Sequence, residues 1–197
     1  MTFDEIFAGQ RVMAILRGLP PDETVAVAGK LWDAGVTVLE VPIGRPEAVA
    51  ALRAAIDAAK ERDLQVGAGT VITADQVRAA AEAGAQYTVA PGFDPLVLAA
   101  SLAAGLPHLP GVGTATEVQR AWLAGCRWLK AFPAAALGPG WISGLRGPFP
   151  DVNFVATGGL TVTGAPAFLA AGARVVALGA ALADPDQRAD IGQLLAP

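Results

Sequence analysis

The stretch VMAILRGLPPDETVAVAGKLWDAGVTVLEV, residues 12–41, holds a short apolar run, a longer amphipathic run and a second short apolar run. The two short runs, 12–16 and 37–41, have the length and the β-branched content of buried strands. The segment between them, 22–34, has helical periodicity and ends at Gly35, a residue type that readily forms a left-handed helix cap. The stretch therefore predicts a strand–helix–strand unit with parallel strands.

The same alternation continues to the end of the chain. Six further strands are predicted at 65–68, 87–90, 108–110, 128–132, 153–156 and 175–178. Seven further helices are predicted at 46–60, 73–83, 94–104, 114–124, 139–146, 163–171 and 185–195. Four of the helical segments end on the dipeptide Ala-Gly, at Gly35, Gly84, Gly125 and Gly172.

Eight strand–helix units in series predict parallel strands joined by right-handed crossovers. The closed form of this arrangement is the (β/α)8 TIM barrel, which we predict as a single α/β domain over residues 1–197 with a short N-terminal helix. A doubly wound open sheet is the alternative. That fold favours a glycine-rich fingerprint after the first strand, and LRGL at 16–19 does not provide one.

Composition excludes several classes of protein. Of the 197 residues, 53% are hydrophobic and 16% charged, so the chain can bury a core and is not disordered. The net charge of −4 argues against a nucleic-acid partner. One cysteine, Cys126, and one histidine, His108, do not suffice for a disulfide scaffold or a histidine-rich metal site, so no metal or cofactor is expected. The acidic start of the chain and its interrupted apolar stretches indicate neither a signal peptide nor a membrane span, and we expect a soluble cytoplasmic protein.

Nearly every ionisable group in an apolar strand context lies at a predicted strand end, where the catalytic groups of a TIM barrel lie. These positions hold Arg17, Glu40, Gly69, Thr70, Pro91, Gly92, Gly111, Lys130, Thr157, Gly158, Gly159 and Gly179. The barrel therefore predicts that these residues share one face of the molecule.

Lys130 stands out because it lies in the apolar run WLKAFP, residues 128–133. The other two lysines, Lys30 and Lys60, belong to helices with solvated faces. Burying an ammonium group is costly unless it is paired with an anion or loses its proton. A neutral lysine amine can attack a ketone and form a Schiff base. The alternative is a strand-end lysine whose stem is buried and whose charge reaches solvent.

Glu40 has a similar setting with the opposite charge, in the apolar run VLEVP, residues 38–42. If the second and sixth strands both face the central cavity, Glu40 and Lys130 meet there. Such a pair is a candidate acid–base couple, and a purely structural ion pair is the alternative.

Two further features indicate an anionic ligand. Arg17 ends the first strand and can hold an anionic group by a forked contact, although a surface arginine is the alternative. Gly158 and Gly159 follow the seventh strand and Gly179 the eighth, where barrels often bind phosphate through backbone N–H groups. A Gly-Gly pair also forms ordinary turns.

Several motifs in one order connect the chain to a known family. They are AILRG at 14–18, GVTVLEV at 35–41, VGAGTV at 66–71, APG at 90–92, PGV at 110–112, LKAFP at 129–133, GPFP at 147–150 and TGG at 157–159. With these motifs almost the whole chain resembles the class I aldolases that act on 2-keto-3-deoxy-6-phosphogluconate (KDPG) or 4-hydroxy-2-oxoglutarate (KHG).

The resemblance implies roles for individual residues. Lys130 would form the Schiff base and Glu40 would be the general acid and base. The residues implied to bind the 2-keto acid substrate are Arg17, Arg45, Thr70, Pro91, Phe132, Thr157, Gly158, Gly159, Gly179 and Ala180. The resemblance also implies a homotrimer.

Two departures from the family pattern bear on the substrate. Gly44 stands where many members have an arginine, so the carboxylate contact is expected from Arg45 or Arg17. Ala180 stands where relatives often have a serine at the phosphate site. A phosphorylated and an unphosphorylated 2-keto-4-hydroxy acid therefore both remain candidates.

We expect a metal-independent retro-aldolase, a lyase that releases pyruvate together with glyceraldehyde 3-phosphate or glyoxylate. A 2-dehydro-3-deoxy-6-phosphogalactonate aldolase is the alternative within the family. Outside it, the alternatives are a barrel isomerase or decarboxylase acting on a phosphosugar, a metal-dependent aldolase, and a catalytically silent barrel that serves as a binding subunit.

Overall fold

The computed structural model describes residues 1–184, 186 and 190–195. The strands are β1 (Val12–Ile15), β2 (Val38–Pro42), β3 (Gln65–Gly69), β4 (Thr88–Val89), β5 (His108–Leu109), β6 (Gly111–Val112), β7 (Trp128–Ala131), β8 (Asn153–Thr157) and β9 (Val175–Leu178). The helices are α1 (Phe3–Ile6), α2 (Pro21–Asp33), α3 (Ala48–Lys60), α4 (Ala74–Ala83), α5 (Pro95–Ala103), α6 (Ala115–Leu123), α7 (Ala134–Leu137), α8 (Pro139–Arg146), α9 (Ala165–Ala170), a 3-10 helix (Ala180–Ala183) and α10 (Gly192–Leu195). In the described part of the chain, no helix combines the length and the apolar character that crossing a membrane requires.

All strands are parallel and form one sheet in the order β5-β4-β3-β2-β1-β9-β8-β7-β6. The sheet curls into a barrel because β5 pairs with β4, β6 pairs with β7, and Pro110 alone separates β5 from β6. The predicted (β/α)8 barrel with a short N-terminal helix is confirmed.

The structure differs from the sequence prediction at three places. The strand predicted at 108–110 is split at Pro110, which lacks the N–H that a continuous ladder uses. Helix α7 follows the sixth predicted strand, where no helix was predicted. The helix predicted at 185–195 is represented by α10, and residues 185 and 187–189 of that prediction lie outside the described residues.

The sheet separates two hydrophobic cores. The larger one lies between the strands and the surrounding helices and includes Leu39, Val41, Leu129 and Ala131. The smaller one fills the barrel interior and consists of Phe3, Ile6, Phe7, Met13, Ile15, Val38, Tyr87, Val89, Leu109, Trp128, Val155, Val175 and Ala177. Because side chains alternate along a strand, residues next to outward-facing positions point into the barrel.

Helix α1 closes the amino end of the barrel. Thr2 and Glu5 form a reciprocal capping box that starts the helix. The ring centroids of Phe7 and Trp128 lie 4.8 Å apart, and the Trp128 indole N–H donates to Asp4 at 2.9 Å. The amino end is therefore closed by apolar packing and a satisfied polar contact.

Candidate active site

Lys130 and Glu40 face each other inside the barrel. Each is flanked in its strand by residues of the outer core, so alternation turns both side chains inward. Lys130 Nζ lies 3.9 Å from Glu40 Oε2, and the side chains are 4% and 0% exposed. The two side chains thus meet, and the alternative of a lysine whose charge reaches solvent does not describe this structure.

The Glu40 carboxylate is held without hydrogen bonds. Among the described residues, neither of its side-chain oxygens has a hydrogen-bond partner, and 3.9 Å from Lys130 is too long for such a bond. A buried ion pair that serves stability needs close geometry and further hydrogen bonds to offset desolvation. This pair has neither, and its arrangement favours a carboxylate that is available for proton transfer over a purely structural ion pair.

Strand β3 provides the space that the carboxylate occupies. A Cβ added at Gly69 would lie 1.8 Å from Glu40 Oε1, so no side chain fits there. The sequence signal is the pattern Gly-Ala-Gly at 67–69, at the end of the strand predicted over 65–68, because glycine in a strand often marks the close approach of another group.

A cavity of about 960 Å³ opens beside Lys130 at the carboxyl ends of the strands. It brings together most of the residues expected at the site: Arg17, Lys130, Phe132, Thr157, Gly158, Gly159, Gly179 and Ala180. Glu40 adjoins this set through Lys130, and Thr70 adjoins it through a 3.4 Å hydrogen bond that its hydroxyl accepts from Arg17.

Four of the expected residues do not line the cavity: Glu40 and Thr70, which adjoin it as described, and Arg45 and Pro91. Arg45 is exposed in the turn before α3. Pro91 is packed against the neighbouring strand, where a Cβ added at Gly111 would lie 2.1 Å from the Pro91 carbonyl oxygen. Of the two arginines considered for the substrate carboxylate, only Arg17 is therefore placed at the cavity.

The walls of the cavity depend on glycine backbone and one aromatic ring. Gly158 and Gly159 have φ values of 102° and 74°, in the region that favours glycine. A Cβ added at Gly158 would lie 2.9 Å from the Phe132 ring, which itself lies 5.3 Å from Lys130 Nζ. Phe132 therefore packs between the lysine and the glycine turn.

Thr70 has an unusual backbone conformation for a β-branched residue. Its φ is 59°, whereas threonine normally avoids positive φ. Such strain is found where the surrounding structure requires it, often at functional sites. Here it turns the Thr70 hydroxyl toward Arg17.

Sequence reasoning missed several lining residues. They are Ile15, Leu16, Leu19, Glu23, Val27, Leu160, Thr161, Ala177, Ala181 and Leu182. Ile15 and Ala177 are apolar strand residues, and the others lie in loops or on helices, where the sequence shows no difference between a cavity wall and ordinary surface or core.

The single histidine and the single cysteine lie outside this cavity. His108 Nδ1 is 2.8 Å from the Thr88 hydroxyl, and burial lowers the pKa of His108 to about 4. Burial raises the pKa of the Cys126 thiol to about 11, which disfavours the reactive thiolate. Within the described residues, no three or more His, Cys, Asp or Glu side chains are grouped to hold a metal ion.

Comparison with known proteins identifies the family. Residues 3–195 match the family model described as "KDPG and KHG aldolase". The chain belongs to this aldolase family. This membership confirms the resemblance expected from the motifs and the enzyme class, a lyase of the class I aldolase type.

Two curated relatives illustrate the similarity of the aldolase chain to known sequences. It is 37% identical over 179 residues to a probable 2-dehydro-3-deoxy-6-phosphogalactonate aldolase of Rhizobium meliloti (strain 1021), covering 90% of this chain and 84% of that protein. It is 36% identical over 191 residues to the 2-dehydro-3-deoxy-phosphogluconate aldolase of Treponema pallidum (strain Nichols), covering 95% and 88%.

Solved structures agree with the sequence comparison. The KDPG aldolase of Legionella pneumophila, with pyruvate captured as a covalent carbinolamine, superimposes on the aldolase with a TM-score of 0.84 at 29% identity, covering 96% of this chain and 94% of that one. The 2-keto-3-deoxy-6-phosphogluconate aldolase of Zymomonas mobilis gives a TM-score of 0.84 at 30% identity, covering 99% and 95%.

Proposed function

We propose that this aldolase cleaves a 2-keto-3-deoxy-6-phospho sugar acid, 4-hydroxy-2-oxoglutarate, or both, through a Schiff base on Lys130. The observation that carries the proposal is the buried Lys130 amine 3.9 Å from the Glu40 carboxylate, which accepts no hydrogen bond from any described residue, at the edge of a large cavity. The captured carbinolamine of the Legionella relative supports covalent chemistry with pyruvate.

The mechanism uses these two groups in turn. The neutral Lys130 amine attacks the C2 ketone, and loss of water from the carbinolamine leaves a protonated imine, with Glu40 carrying the protons. Glu40 then takes the C4 hydroxyl proton, the C3–C4 bond breaks, and its electron pair moves into the imine, so an aldehyde leaves. The remaining enamine is protonated at C3 and hydrolysed, which releases pyruvate and restores the amine.

The remaining lining residues are proposed to bind the substrate. Arg17 and Thr70 are proposed to contact the pyruvyl carboxylate, and the hydrogen bond that holds the two side chains together supports this assignment. The glycine backbone at 158–159 and at 179 forms the other wall and can present N–H groups to a distal anion. Phe132 and Thr157 shape the space between these two ends.

The distal anion distinguishes the candidate substrates. Ala180 lines the cavity and has no hydroxyl to donate, so a distal anion bound at this position would be held by backbone N–H groups alone. Relatives named for the phosphogluconate and the phosphogalactonate substrates are about equally similar to this chain. Both C4 epimers, with and without the 6-phosphate, together with 4-hydroxy-2-oxoglutarate, therefore form the substrate panel for kcat/KM measurements.

Borohydride trapping tests the covalent step. Reduction in the presence of pyruvate is expected to give a single adduct, located on Lys130 by intact mass and peptide mapping. Lys60→Arg, at an exposed lysine paired with Asp57, is the matched control and keeps the adduct, whereas Lys130→Arg loses it. Folded protein that forms no adduct, or an adduct on Lys30 or Lys60, would contradict the mechanism. Turnover in the presence of EDTA separates this mechanism from a metal-dependent aldolase, whose activity would vanish.

We also propose that the aldolase is a homotrimer that works in the cytoplasm. In helix α5, with sequence PLVLAASLA, every residue except the buried Ser101 is apolar, and Leu96 and Leu102 are 78% and 56% exposed. A helix of this composition is normally covered. Leu96→Glu combined with Leu102→Glu is expected to dissociate the trimer in sedimentation experiments, and a monomeric wild-type chain would contradict the proposal.

A further inference from the structure

We propose that Tyr87 is a positioning residue for Glu40. Its ring lies next to the carboxylate on the side of the barrel's amino end. Its hydroxyl is hydrogen-bonded to the strand segment that carries Glu40. The inference rests on the proposed role of Glu40 in proton transfer and adds a residue that the reaction scheme does not use.

The Tyr87 side chain spans two strands of the barrel interior. Tyr87 directly precedes β4 and is fully buried. Its ring crosses β3 at Gly67, where an added Cβ would lie 2.0 Å from the ring. Beyond β3, its hydroxyl donates a 2.5 Å hydrogen bond to the backbone carbonyl of Leu39, the residue before Glu40. The tyrosine therefore connects β4 to the point of β2 from which Glu40 projects.

The two inward-facing glycines of β3 have complementary uses. Gly67 admits the Tyr87 ring, and Gly69, two residues further along the same face, admits the Glu40 carboxylate. Tyr87 and Glu40 therefore occupy successive places on the inner surface of one strand. Below the tyrosine, the Phe3 ring packs edge-on with a centroid distance of 5.8 Å. The packed rings of Tyr87 and Phe3 therefore block movement of the carboxylate toward the amino end of the barrel.

The electrostatics agree with this proximity. Burial raises the pKa of Tyr87 well above its usual value, and the nearby Glu40 charge raises it further, while a backbone hydrogen bond with Gly67 acts in the opposite direction. The Tyr87 hydroxyl donates its proton to the Leu39 carbonyl and not to the Glu40 carboxylate. The arrangement fixes the carboxylate in place, and within the described part of the chain no residue is hydrogen-bonded to its oxygens.

Tyr87→Phe tests the proposal, because it keeps the ring and removes only the hydroxyl. Small displacements of a catalytic group can cost up to about 10²-fold in rate, and we expect kcat to fall about tenfold, with an altered pH profile and little change in KM. Thr88→Val is the matched control. It removes an equally buried hydroxyl from the next residue, which contacts Ser101 and His108 instead of the site. We expect this variant to lower Tm and leave kcat and its pH profile unchanged.

A second measurement does not depend on activity. Tyr87 is the only tyrosine in the chain, so the phenolate absorbance near 295 nm reports this side chain alone. Glu40→Gln is expected to lower the Tyr87 pKa, and Thr88→Val is expected to leave it unchanged.

The outcomes separate the two proposals. If Glu40→Gln has near-normal kcat, the proposed role of Glu40 is wrong. If Glu40→Gln is slow but Tyr87→Phe keeps wild-type kcat and pH profile, Tyr87 is a packing residue and the positioning role is overturned. Should Tyr87→Phe fold poorly, an unchanged tyrosine titration in Glu40→Gln would overturn the role by itself.

Discussion

The two ends of the barrel interior differ in whether their buried polar groups have hydrogen-bond partners among the described residues. At the amino end, the rings of Phe3 and Phe7 stack at 5.7 Å, and the buried indole N–H of Trp128 has its acceptor in Asp4. At the carboxyl end, Lys130 and Glu40 are equally buried, yet the carboxylate has no hydrogen bond within the described residues. One strand, β7, carries both Trp128 and Lys130, so the contrast develops over two residues.

The difference shows where the fold is stabilised and where it is kept reactive. Apolar burial at the amino end contributes about 25 cal/mol for each Å² removed from water. A buried carboxylate without partners costs free energy at the carboxyl end. The barrel thus tolerates a destabilising pair because the apolar packing of α1 at the amino end and the outer core supply the stability elsewhere.

The largest expected effect is at the reactive end. Lys130→Met removes the nucleophile, and we expect kcat for pyruvate release to fall by at least about 10⁴-fold. The rate is measured by coupling pyruvate to lactate dehydrogenase, and circular dichroism checks the fold. Lys60→Met is the control at an exposed lysine and keeps wild-type kcat. Residual turnover within a hundredfold of wild type would mean that another group forms the covalent bond.

Phe7→Ala removes apolar packing at the amino end of the barrel instead. Phe7 is 4% exposed and packs on Phe3 and Trp128. Truncating a buried phenylalanine costs about 3–5 kcal/mol, so denaturant unfolding is expected to show a loss of this size. At a temperature where the variant is folded, kcat is expected to stay unchanged. A parallel loss of kcat would show that the two ends are coupled.

Gly69→Ala tests the reactive end without changing a charged group. The added methyl group would overlap Glu40 Oε1, so the carboxylate must leave its present position 3.9 Å from Lys130 Nζ. We expect kcat to fall about 10²-fold with a stability loss of about 1–3 kcal/mol. Gly92→Ala is the control, because a Cβ there meets no atom within 4 Å and its φ is not positive. Wild-type kcat in Gly69→Ala would show that the Glu40 position is not critical.

The smallest effect concerns His108, a buried polar group that is hydrogen-bonded to Thr88 through Nδ1 and lies outside the site. Its pKa is lowered to about 4 by burial, whereas the unfolded chain binds this proton near pH 6.5. Its contribution to stability is therefore complete above pH 6.5 and is lost as the pH falls toward 4, by up to roughly 3 kcal/mol. The single histidine gives an unambiguous NMR titration. A midpoint near 6.5 would contradict the lowered pKa, and His108→Asn should remove this part of the acid sensitivity.

Much of the fold was predictable because its signals are local. Short β-branched runs and helices that end on Ala-Gly predicted the repeated unit, and the cap at Gly84 has the expected left-handed conformation. The split at Pro110 and the extra helix α7 were not predicted. They depend on how neighbouring strands pair at barrel closure, which no local pattern contains.

The candidate site was predictable where a charge interrupts an apolar run. Lys130 and Glu40 were found in this way, and the structure brings them together. The positions of Arg45 and Pro91 outside the cavity, and the lining by residues such as Leu19 and Val27, depend on the paths of loops and on helix packing. Hydrophobic periodicity carries no information about either.

The sequence alone therefore determined the repeating strand–helix unit, the parallel sheet and the two buried charges, because each follows from periodicity or from the cost of burying an ion. The tertiary structure alone decided the register that places Tyr87 over Gly67 and Glu40 over Gly69. Register is set by closure of the whole barrel, since the space left by one glycine acquires a use only when a side chain from another strand reaches it.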